Sequence, residues 1–169
     1  MALSTNMLGT HFGAGSELVI LKAGNNEPLV IAGYASVEMV DKQGDLITRG
    51  ALKDAFGNFM KAEDFRNVQL AHSNIQVGSV ISDYTDSNGR VWKSGVDDAG
   101  MFVVIKLRDD IEKAREVANE IRKGNLTGFS IGGQAFKRIN KAVDDSCLIF
   151  IINANAMDFV VITHDCAVR

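Results

Sequence analysis

A serine stands between glycines in "GNLTGFSIGG", residues 124–133, where Gly128, Ser130 and Gly132 fit the pattern G-x-S-x-G. Two readings compete for it: a nucleophile, or a small residue packed in a tight strand. A serine hydroxyl is too weak a nucleophile unaided. It needs a base within hydrogen-bond reach and usually a third group that orients the base. Histidine serves most often, because an unperturbed pKa of about 6.5 lets it take and return a proton near neutrality. The chain has three histidines, His11, His72 and His164. His72 ends the apolar run "VQLAH", where a side chain can emerge at the rim of a core. His164 ends "AMDFVVITH", and His11 lies in a small, polar N-terminal stretch.

The order Ser130, Asp158, His164 is that of the α/β-hydrolases, which hold their serine on a strand-to-helix elbow. Here the residues after Ser130 read as strand, and regular βα alternation is absent. The other order is His72, Ser130, Asp158. In it His72 is the base, and Asp158 would fix the imidazole tautomer. Backbone N–H groups of Gly132 and Gly133 are candidates for an oxyanion hole, since glycine permits close approach. Gly128 and Gly78 read as packing residues near Ser130 and His72.

Other chemistries find little support. Zinc needs three or four clustered ligands. Cys147 and Cys166 lie outside any metal or redox spacing and read as reduced thiols. Asp41 and Asp45 in "DKQGD" are too few for calcium, which takes six to eight oxygens, and read as part of a turn. Neither a phosphate loop nor a dinucleotide fingerprint is present, so no cofactor is expected. The net charge of −3 offers no basic patch for nucleic acid. No apolar run approaches the roughly 18 residues of a membrane helix, and the N-terminus lacks the features of a secretion signal.

The elements that must position these residues follow from periodicity. Residues 1–16 read as a loose arm, and 17–169 as one domain, the prior for a chain of 169 residues. "ELVILKA" (17–23) and "PLVIAGYASVEMV" (28–40) suggest a hairpin. Residues 48–62 show helical spacing of Leu52, Ala55, Phe56, Phe59 and Met60, although Gly57 weakens the helix. Short strands are expected at 67–72, 77–85, 90–97 and 101–108, the later ones separated by the turns "DSNG" and "DDAG". A second helix is expected at 109–124, capped by Asp109 and closed by Gly124, with i,i+4 charge pairs on its outer face. Strands follow at 126–139, 147–152 and 156–164. The sum is α+β, mainly β: an antiparallel sheet or barrel of about seven or eight strands with helices packed on it.

Four stretches, in this order, resemble the phage prohead maturation proteases, particularly the phage-like-element branch of serine proteases. They are "GYASVEMVDKQGDLITRGAL" (33–52), "VQLAHSNIQVGSV" (68–80), "AREVANEIRKGNLTGFSIGG" (114–133) and "AMDFVVITHDCA" (156–167). The family is similar in fold to the herpesvirus assemblins, a β-barrel ringed by helices. The resemblance therefore implies a serine endopeptidase with Ser130 as nucleophile, His72 as base and Asp158 as third member. Relatives often carry glutamate at that last position. The assemblins use a second histidine there, which makes His164 the runner-up and Asp165 a weaker one.

Implied substrates are the phage scaffolding protein, an extension of the major capsid protein and the chain's own termini. The implied location is the immature head in the host cytoplasm, not outside the cell. Assemblins work as dimers, which raises a homodimer as an option. The rival reading is a catalytically inactive capsid- or scaffold-binding module on the same barrel. A small esterase using His164 is a third.

Overall fold

The computed structural model describes residues 18–24, 27–37, 45–63, 66–70, 74–144 and 147–163. Side chains of 45–47, of 132–144 and of 147–163 other than Ile162 lie outside the described set. The elements run β1 (Val19–Lys22), β2 (Val30–Val37), β3 (Asp45–Ile47), α1 (Arg49–Lys61), β4 (Asn67–Leu70), β5 (Gln76–Ile81), β6 (Asp83–Thr85), β7 (Val91–Lys93), β8 (Gly95–Val96), β9 (Gly100–Leu107), α2 (Glu112–Arg122), β10 (Gly128–Asp144) and β11 (Cys147–Thr163). Nine strands form one sheet in the order β1-β2-β9-β5-β4-β11-β10, with β3 on β11 and β8 on β9, while β6 and β7 pair by themselves.

The fold is α+β and mainly β, as expected, but the sheet is not closed into a barrel. Among the described residues its two ends approach each other, with Leu18 N–H donating to the Thr127 carbonyl at 2.8 Å, but β1 and β10 are not paired as strands. The pairing is also not wholly antiparallel, because β11 runs parallel to both β3 and β4. Asp45, read from the sequence as part of a turn, begins β3 opposite Phe150. The two strands expected at 147–152 and 156–164 are one 17-residue strand.

Strands β2 and β9 are buried along nearly their whole length. Such continuous apolar runs mark strands covered on both faces. Leu29, Ile31, Ala35, Val103, Ile105 and Leu107 join the main core. Val30, Ala32, Tyr34, Phe102 and Val104 face the other way and pack with Trp92 of β7. Helix α1 sends Leu52, Ala55 and Phe59 into the main core, and α2 sends Ala114, Val117, Ala118 and Ile121. Thr48 caps α1 by accepting from the Ala51 amide at 3.2 Å, and the helix runs unbroken through Gly57.

The cap expected at Asp109 is not used. Helix α2 starts after Ile111, which has no side-chain cap bond. Asp110 instead takes two bonds from Arg108, at 2.8 and 2.5 Å, and the guanidinium holds its carboxyl down at a pKa of about 2. Charge pairs on α2 are spaced i,i+3, Lys113–Glu116 and Glu120–Lys123, rather than i,i+4. Gly124 ends the helix at φ 77°, a left-handed conformation that suits glycine.

Candidate active site

Ser130 is the third residue of β10 and lies inside a 17-residue strand. No helix follows it, so the strand-to-helix elbow of the α/β-hydrolases is absent here. Phe129 beside it is 2% exposed and belongs to the main core. Ser130 and Ile131 are half-buried. Burying a phenylalanine side chain contributes roughly 1.5–3 kcal/mol. That anchors the backbone at Ser130, which is itself half-buried.

The anchor depends on Gly33 of β2. A Cβ there would stand 2.9 Å from Cε2 of Phe129. Glycine at this position leaves room for the ring to lie against β2. Gly78 has a comparable role elsewhere. A Cβ there would stand 2.7 Å from the Lys106 carbonyl, so this glycine eases the approach of β5 to β9.

Strand β11 lies between β10, which carries Ser130, and β4. Ser130 pairs with Val161 and Phe129 with Ile162. On the other side of β11, Gln69 pairs with Val161 and Leu70 with Ile162. Leu70, the last residue of β4, thus shares a row with Phe129, one residue from Ser130. His72 follows Leu70 by two residues and lies outside the described set, as do His11, His164, Asp41 and Asp165.

Asp158 lies at one of four irregularities in the β10–β11 pairing. Gly132 pairs with Phe159 and Gly133 with Met157, so Asp158 is the extra residue of a β-bulge. Bulges recur beside active sites, where they re-aim a side chain. The side chain of Asp158 is outside the described set. Gly132 and Gly133, the oxyanion candidates, flank the same irregularity.

Two features near this site carried no signal in the sequence. A cleft of about 120 Å³ has a floor of Leu70, Val117 and Leu126 and a rim of Lys113, Glu116 and Glu120. It draws residues from the end of β4, from one face of α2 and from the approach to β10, of which β4 is far in sequence from the other two. The second is the side-chain oxygen of Asn67, at the start of β4. It is buried and has no hydrogen-bond partner. Such orphans cost roughly 1–3 kcal/mol and are rare in folded proteins. Among the described residues, no three His, Cys, Asp or Glu side chains gather as a metal site.

The fold is similar to that of the bacteriophage T4 capsid assembly protease, gp21. The match has a TM-score of 0.57 and covers 89% of this chain and 92% of that one, at 13% identity. In sequence, the chain is 28% identical over 123 residues to protein YqbD of Bacillus subtilis (strain 168), covering 69% of this chain and 34% of that protein. It therefore spans about a third of the length of that relative. Residues 17–139 match the family model described as "Putative phage serine protease XkdF", a span that includes Ser130 and position 72. The chain belongs to that phage serine protease family.

Proposed function

We propose that the chain is a serine endopeptidase of phage prohead maturation. Its substrates would be the scaffolding protein, a capsid-protein extension and its own termini. Family membership supports the chemistry. The fold shared with a capsid assembly protease supports the setting, the phage head within the host cell. The observation that carries most weight is the position of Ser130: half-buried, on a strand anchored by Phe129, with a bulge beginning two residues away.

In this mechanism Nε2 of His72 takes the proton of Ser130 as Oγ bonds to the scissile carbonyl carbon. Backbone N–H groups at Gly132 and Gly133 hold the oxyanion. The intermediate collapses by breaking the C–N bond, and His72 returns the proton to the leaving amine. Water then enters by the same route in reverse, and the serine is restored. The bulge favours Asp158 as the group that orients His72. His164 is the second reading. It follows Ile162 by two residues, as His72 follows Leu70, and Ile162 and Leu70 pair in parallel.

Co-expression with the neighbouring scaffold and capsid genes, read by intact mass, tests the proposal. Wild type should trim these proteins or itself, and Ser130→Ala should trim none. Unchanged masses with wild type would leave the inactive binding module as the better reading. In the active chain, Asp158→Asn and His164→Gln then separate the two third members. The true one should cost roughly 10⁴-fold in kcat.

A further inference from the structure

We propose that the side-chain amide of Gln69 donates a hydrogen bond to the oxyanion formed at Ser130, which makes it a further catalytic residue. The inference rests on the peptidase reading above. Ser130 pairs with Val161 of β11, and Val161 pairs on its other side with Gln69 of β4. Both pairings are regular over this row, and the first shift along β10 comes after Gly132.

The flanking rows fix the face. Val68, Phe129 and Ile162 lie in the main core, and Leu70 and Ile131 pack against it. Paired residues share a face of a sheet, and successive residues alternate between faces. The row between, with Gln69 and Ser130, therefore faces away from that core. Both residues are half-buried. Two strand spacings separate them, about 10 Å between backbones. A glutamine side chain laid along the row spans roughly half of this, and the serine hydroxyl takes part of the rest. The remaining gap fits one carbonyl group.

The amide is uncommitted. Among the described residues Gln69 makes no side-chain hydrogen bond. Gln76, the next member of the row, is the contrast. Its Nε2 donates to the Gly78 carbonyl at 3.2 Å and to the Ser79 hydroxyl at 3.3 Å. As Ser130 Oγ bonds to the scissile carbon, the π pair of the carbonyl moves onto its oxygen. Nε2–H of Gln69 donates to that oxygen and keeps its proton, beside the backbone donors of Gly132 and Gly133. The charge disperses when the C–N bond breaks and the carbonyl re-forms. The bond thus strengthens only in the transition state and acts on kcat rather than on substrate binding.

Gln69→Met removes the donor at similar size. The substrate is a peptide spanning a cleavage site mapped by intact mass in the co-expression experiment. On it the variant should lower kcat about 10²–10³-fold and leave KM close to wild type. Labelling of Ser130 by a serine-directed phosphonate, whose phosphoryl oxygen takes the place of the oxyanion, should slow at least tenfold. Gln76→Met should leave both rates near wild type. An equal loss there would reveal a general disturbance of the row and overturn the assignment. A raised KM at unchanged kcat would make Gln69 a ground-state contact and overturn it as well. Should Gln69→Met fail to fold, Gln69→Glu, of the same shape without the donor, takes its place. Unchanged cleavage and labelling in the variant beside an active wild type refute the role of Gln69 alone. A wild type that neither cleaves nor labels refutes the peptidase reading, and this assignment with it.

Discussion

The corner around Tyr34 and Trp92 and the edge around Ser130 belong to one molecule but are held by different forces, the corner by polar bonds and the edge by apolar packing. At the corner, polar groups are spent on one another. Asp86 accepts from the Asn88 and Arg90 amides and from Trp92 Nε1 at 2.9 Å. Asp97 accepts from the Ala99 and Gly100 amides and from the Tyr34 hydroxyl at 2.7 Å. Phe102 meets Tyr34 edge-on and stacks on Trp92, and Arg90 lies 3.9 Å from the center of the Trp92 ring. The hydrogen bond from Trp92 is the main reason the Asp86 carboxyl is held below its ordinary pKa. These carboxylates are engaged in fixing turns.

At the Ser130 edge the fixing is apolar. Phe129 is locked into the core, while the next residue is half-exposed on a strand that ends the sheet. The contrast teaches which loop acids to discount. In sequence, "DSNG" and "DDAG" supply as many carboxylates as a catalytic site would need. In the structure Asp86 and Asp97 bind turn amides, whereas Asp158 lies inside a strand, at an irregularity that begins two residues past Ser130.

Three substitutions sharpen or break this contrast, each read by thermal or denaturant unfolding and by labelling of Ser130 with a serine-directed phosphonate. The largest stability effect is expected from Phe129→Ala. Emptying that site should cost about 3–5 kcal/mol and slow labelling, because the anchor beside the nucleophile is lost. Normal labelling in a folded variant would show that Phe129 does not position Ser130. Gly33→Ala should cost about 1–3 kcal/mol by overpacking the Phe129 ring, again with slower labelling. A neutral result would mean that β10 shifts freely along β2.

Tyr34→Phe is the smallest, about 1 kcal/mol near neutrality, and should leave labelling unchanged. Burial, and after it the bond to Asp97, raise the Tyr34 phenol well above its ordinary pKa. The folded state thus favors the protonated phenol. Its contribution is complete below the unfolded value near pH 10 and is lost as pH rises through the higher folded value. The wild type should therefore lose stability above about pH 10 more steeply than Tyr34→Phe. Parallel alkaline limbs, or a change in labelling, would erase the distinction between corner and edge.

Much of this was legible in the chain. The spacing of Leu52, Ala55 and Phe59 gives the face that α1 buries. Ala114, Val117, Ala118 and Ile121 do the same for α2, and Gly124 marks its end. Ser130 stands out for its glycine neighbours. These signals are local: a side chain's periodicity and a backbone's tolerance of positive φ depend on residues within a few positions. The cap at Asp109 was misread because α2 starts later, at Glu112, with Ile111 at the N-cap position.

What the tertiary structure alone decided is how distant segments meet. The parallel pairing of Val68 with Val160 brings the end of β4 within one strand of β10. The union of two expected strands into β11, the bulge at Asp158 and the meeting of Leu18 with Thr127 are of the same kind. Strand pairing depends on partners far apart in sequence, and a strand's own residues specify which face it buries but not which neighbour it chooses.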